Sequence, residues 1–104
     1  MRMMLKAVID TEAGNENIRN GSMAKVIEQM VQQLNPEAVY FAPENGQRSC
    51  IVVFDMADPS QIPAVSEPLF LGGKARVTLV PCMNLDDLQK GLSQLPPELL
   101  SVGA

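Results

Sequence analysis

A chain of 104 residues, 46% of them apolar and with a net charge of −4, has the composition of one ordinary globular domain and not of a disordered chain. Its 8 basic residues are scattered, and it has one tyrosine, three phenylalanines and no tryptophan, which argues against a nucleic-acid-binding groove. No apolar stretch is long enough to span a bilayer, and the N-terminal run lacks the uninterrupted apolar region of a signal peptide, so a cytoplasmic protein with no membrane partner is expected.

Met3–Asp10 reads as a first strand, with Leu5, Ala7 and Ile9 on one face and Met4, Lys6 and Val8 on the other. Thr11–Gly21, with two glycines and three asparagines, reads as a polar loop. Ser22 is placed to cap a helix reaching about Leu34, because Met23, Val26, Ile27, Met30, Val31 and Leu34 recur at three- and four-residue spacing. Asn35-Pro36 stops it. Ala38–Phe41 is a second strand and Gln47–Asp55 a third, joined by a turn at Pro43-Glu44-Asn45-Gly46.

Asp58-Pro59-Ser60 opens a second helix, and Gly72-Gly73 closes the segment as a turn, outside any nucleotide-loop context. Ala75–Pro81 is a fourth strand. Asn84-Leu85-Asp86-Asp87 starts a C-terminal helix with Leu85, Leu88, Leu92 and Leu95 on one face, and Pro96-Pro97 ends it. One domain over residues 1–95, followed by a loose tail over 96–104, is the resulting organisation.

The order β-α-β-β-α-β with an added C-terminal helix predicts an α+β, ferredoxin-like fold: an antiparallel sheet of order 4-1-3-2 with its helices on one face. Cys50 and Cys82 are then separated by the first strand, roughly 10 Å at the usual strand spacing. A disulfide requires less than about 7 Å between Cα atoms, so two free thiols are expected. Without histidine or CxxC spacing, neither a metal nor a cofactor is expected. Asp10 and Asp55 fall at opposite ends of the two central strands and cannot act as a carboxylate pair.

In the third strand both alternating sets, Cys50/Val52/Phe54 and Ile51/Val53, are apolar. Whichever way the strand is turned, apolar residues reach the face without helices, which predicts a two-fold homodimer through that sheet face.

These elements, with Glu67-Pro68-Leu69-Phe70, Val77–Pro81 and Met83-Asn84-Leu85-Asp86-Asp87-Leu88, resemble a bacterial branch of the dimeric α/β-barrel superfamily over residues 3–90. The superfamily includes small monooxygenases and muconolactone-isomerase-like enzymes. The resemblance implies a homodimer with a cavity between sheet and helices or within the barrel. It transfers no catalytic residue, because the histidine several such enzymes use has no counterpart here.

Tyr40, Arg48, Lys6 and Asp55 are the polar groups expected to border a cavity, with Arg48 and Tyr40 suited to a carboxylate. Cys50 reads as a buried, inert thiol, its one evident thiolate-stabilising neighbour being Arg48. Three functions follow: a dimer that binds a small apolar or aromatic molecule or is purely structural; a cofactor-independent monooxygenase- or isomerase-like enzyme; or a subunit whose leucine helix docks on another protein.

Overall fold

Alternation along the two central strands sets the core, although Val8, on the opposite face, is buried as well. Met3, Leu5 and Ala7 of β1 (Arg2–Val8) and Cys50, Val52 and Phe54 of β3 (Gln47–Asp55) are buried. The antiparallel register pairs Met3 with Phe54, Leu5 with Val52 and Ala7 with Cys50, so these six side chains share one sheet face. The computed structural model describes residues 1–101; the end of the expected tail, residues 102–104, lies outside the described residues. Its sheet is antiparallel and four-stranded, of order β2-β3-β1-β4, with β2 (Ala38–Glu44) and β4 (Arg76–Pro81) at the edges.

The first crossover holds two helices, and the loop expected over Thr11–Gly21 is one of them. α1 (Thr11–Arg19) has few apolar residues, Ala13 and Ile18, and its signals are terminal instead. The Asp10 carboxylate accepts from the Ala13 N–H (3.0 Å), Glu12 lies in the first turn and Arg19 in the last. Its packing is also polar, since Asn17 donates to the Gly72 carbonyl at 2.8 Å. α2 (Ser22–Leu34) spans the expected residues, but Ser22 is its first helical residue; the cap position belongs to Gly21, in the left-handed conformation at φ 78°.

β2 runs on to Glu44, three residues beyond its expected end. The turn is the two-residue Asn45-Gly46, both at positive φ (50° and 78°), as a tight hairpin requires. Pro43 is tolerated within β2 because this is an edge strand with no partner for the missing N–H. A 3₁₀ turn over Pro59–Gln61, closed by a capping box between Asp58 and Gln61, leads into α3 (Ile62–Gly73). Val65 and Leu69 of α3 close over the buried sheet face, and Met30 and Leu34 of α2 pack on the same cluster.

The thiols are free: Cys50 is buried on the covered face, and Cys82 lies just past β4, at the other end of β1. α4 (Leu85–Ser93) starts with a capping box between Asn84 and Asp87, as its sequence foretells. Where a loose tail is expected, Pro97–Leu100 form a short helix, α5.

The helices that pack on this cluster, α2 and α3, cover one sheet face, and the other face carries the alternate residues of the strands. The register groups Ala38, Val53, Met4 and Val80 in one row and Tyr40, Ile51, Lys6 and Thr78 in the next. Tyr40, Ile51 and Val80 are exposed there, and the Lys6 ammonium pairs with the Glu44 carboxylate. Among the described residues, no helix is long and apolar enough to cross a membrane.

Candidate functional site

α2 stands off the sheet. Its apolar stripe is well formed, yet none of its residues is fully buried, so part of the stripe faces a void instead of packed side chains. The void is an apolar cavity of ≈ 90 Å³. Met23, Val26, Ile27 and Met30 form its roof, Phe41 and Cys50 its floor, and Leu69 and Gly72 its α3 wall. Such a space is far larger than the roughly 10–15 Å³ that one water needs.

Arg48 supplies the charge. It lies two residues before Cys50 on β3, so its side chain leaves the covered face of the sheet. The guanidinium donates to Asn15 Oδ1 at 3.1 Å, and among the described residues it makes no ion pair. The same residue borders a second, open groove of ≈ 580 Å³, lined also by Thr11, Asn15, Pro43 and Gln47. Met23, Phe41 and Ser49 line both spaces, so Arg48 stands where the apolar cavity meets solvent. Gly14 makes room for it: a Cβ on Gly14 would lie 2.8 Å from the Arg48 guanidinium.

Of the four residues expected to border a cavity, Arg48 alone lines this one. Tyr40 and Lys6 are brought together in one row on the open sheet face, the far side of the sheet from Arg48. Asp55 is at the other end of β3, where it accepts from the Met1 amine (2.6 Å) and borders a small separate pocket with Gln33 and Gln61. A Tyr40–Arg48 carboxylate clamp is therefore not formed within one chain. Sequence reasoning missed Asn15 and Asn17, which belong to the helix read as a loop. In the sequence Met23, Val26, Ile27 and Met30 read only as an apolar helix stripe, and their spacing is the same whether they meet side chains or a cavity.

Cys50 puts a thiol into the cavity wall. Burial pushes its pKa up, so it is neutral at physiological pH and a poor nucleophile. Iodoacetamide is expected to modify the half-buried Cys82 at least tenfold faster than Cys50 (about tenfold being the least that burial and a suppressed thiolate should give). Mass spectrometry of the modified peptides checks this, and equal rates would contradict it. The folded thiol also keeps its proton to higher pH than the unfolded one. Its contribution to stability is therefore complete below the unfolded thiol's pKa of about 8.5 and is lost as the pH rises past it.

Among the described residues there is no group of three or more side chains suited to a metal ion. The cavity lining contains no carboxylate. Its chemistry is one of shape and a single cation: an apolar chamber with a forked donor at the mouth. Compared with models of known protein families and with curated proteins, the sequence matches none.

Proposed function

We propose that the chain is a small-molecule-binding protein of the dimeric α/β-barrel kind, with a ferredoxin-like sheet, paired as a homodimer through its open sheet face. Its ligand is a small apolar or aromatic molecule carrying one anionic group. The observation that carries this reading is the ≈ 90 Å³ apolar cavity under α2 with Arg48, free of any carboxylate partner among the described residues, at its mouth. A ring placed there removes apolar surface from water on both sides, at about 25 cal/mol per Å², while its carboxylate meets the guanidinium. The central placement of β1 and β3 and the helix-free face support the fold and dimer parts of the reading, and the additional helix α1 is a departure from the simplest such fold.

A cofactor-independent monooxygenase- or isomerase-like reaction would use the same chamber. Binding is favoured over it because the lining offers a neutral thiol and no carboxylate to move protons.

The test is calorimetric titration of the full chain with 1-naphthoate and with its neutral amide. Both are expected to bind, the acid more tightly. Arg48→Met should weaken the acid about tenfold, the low end for a charge-assisted hydrogen bond because Arg48 is exposed, and leave the amide nearly unchanged. Absence of heat and of thermal stabilisation with either compound at millimolar concentration would defeat the proposal.

A further inference from the structure

The C-terminal arm is the least buried part of the molecule. Every residue from Met83 to Ser101 is exposed, including Leu85, Leu88, Leu92, Leu95 and Leu99. Its first turn is anchored: Asn84 and Asp87 close the capping box, and Arg2 donates to Asp87 Oδ2 at 2.8 Å. Beyond that turn the leucines stay exposed, Leu88 at 41% and Leu92 at 53%. A helix of 9 residues is short of the roughly 12–15 residues at which isolated helices become even marginal in water, so α4 needs a surface to lie on.

The dimensions agree. The protomer measures 58 × 30 × 20 Å, with a radius of gyration of 17.4 Å against about 13 Å for a compact chain of this length. It exposes 7290 Å², whereas a folded chain of 11.3 kDa exposes about 5,700 Å². The surplus, roughly 1,600 Å², is twice the about 800 Å² that each partner gives to a standard stable interface. Two apolar surfaces are exposed: the leucine arm, and the open sheet face with Tyr40, Ile51 and Val80 exposed and Met4 and Val53 half-buried. The surfaces adjoin, since Arg2, which anchors the arm, is at the end of the open face opposite Asp55.

We propose that the arm Asn84–Ser101 of each copy lies, through its leucines, on the open sheet face of a second copy, so that two chains exchange arms reciprocally. One two-fold axis then satisfies both surfaces at once and leaves no free apolar face to propagate a fibre. This inference rests on the homodimer reading and names what closes that dimer.

Two measurements on the full chain test it. In sedimentation equilibrium, the native chain is expected at twice 11.3 kDa and the Leu88→Asp/Leu92→Asp variant at 11.3 kDa over the same micromolar range. Both leucines are exposed in the protomer, so the sheet and its core should fold as before, and circular dichroism should lose at most the signal of the arm's short helices. A variant that remains dimeric overturns the arm exchange and leaves a dimer made by the sheet faces alone. A native chain that is monomeric overturns both. Should the variant fail to fold, a photo-crosslinker replacing Leu92, in an equal mixture of ¹⁴N- and ¹⁵N-labelled chains, decides the matter. Mixed-isotope cross-links to peptides of residues 38–55 or 76–81 support the exchange, and same-isotope links alone, or none to the sheet, overturn it.

Discussion

Leu5→Ala is expected to lower the unfolding free energy by about 3 kcal/mol, in the range measured for leucine truncations that leave a cavity in a closed core. Leu5 is wholly inaccessible to solvent, at the middle of a central strand, between Val52 on one side and Leu79 on the other. Both neighbours are held by their own strands, so the lining cannot collapse into the space. For a domain of this size the loss should lower Tm by roughly 12–24 °C. Urea titration followed by circular dichroism is the check, and a loss below about 1 kcal/mol would show that the sheet and α3 repack. Ile51→Ala, one residue before Val52 on the other face, is the informative contrast. Its side chain is 36% exposed in the protomer, so the cost in a monomer should be small. Under the homodimer reading the cost instead grows with protein concentration, because it is a loss of association.

The contrast between these neighbours also shows what could be read from residues alone. The stretch Gln47–Asp55 was legible as a strand to its last residue, because β-branched residues between a turn and a polar stop have few other uses. The spacing of α2 was legible for the same kind of reason. α1 was not: Thr-Glu-Ala-Gly-Asn-Glu-Asn-Ile-Arg shows no apolar stripe, and its helix is secured by the Asp10 cap and polar contacts that only the fold brings together. The excess of apolar residues on β3 was visible, but which set is covered depended on the helices, whose side of the sheet no strand reveals by itself. The site followed the same division. Arg48 and Cys50 share a face by simple alternation, whereas Tyr40 lies beyond the sheet from Arg48 because the two-residue turn sets the hairpin register. The emptiness beneath α2 left no trace in its sequence, since a helix facing a cavity and one facing a core carry the same residues.

Ile27→Trp is expected to abolish binding of aromatic ligands, to beyond a hundredfold loss (about 2.7 kcal/mol at 1.36 kcal/mol per tenfold), while leaving the fold intact. Ile27 is on the roof of the cavity, half-buried, in the middle of α2. In a packed core such an enlargement would cost about 1–3 kcal/mol through strain. Here the indole enters space that is already open, so the strain is offset by new apolar contact with Phe41, Leu69 and Met30. The variant should therefore melt within a few degrees of the native chain, about the change that 1 kcal/mol or less produces. It should show no calorimetric response to 1-naphthoate or its amide. That pattern differs from the one expected of Arg48→Met, which spares the neutral compound. A marked drop in Tm would mean that α2 already fills the space in solution. Undiminished binding of 1-naphthoate by Ile27→Trp would place the ligand elsewhere, in the open groove on the far side of Arg48 that Thr11, Pro43 and Gln47 border.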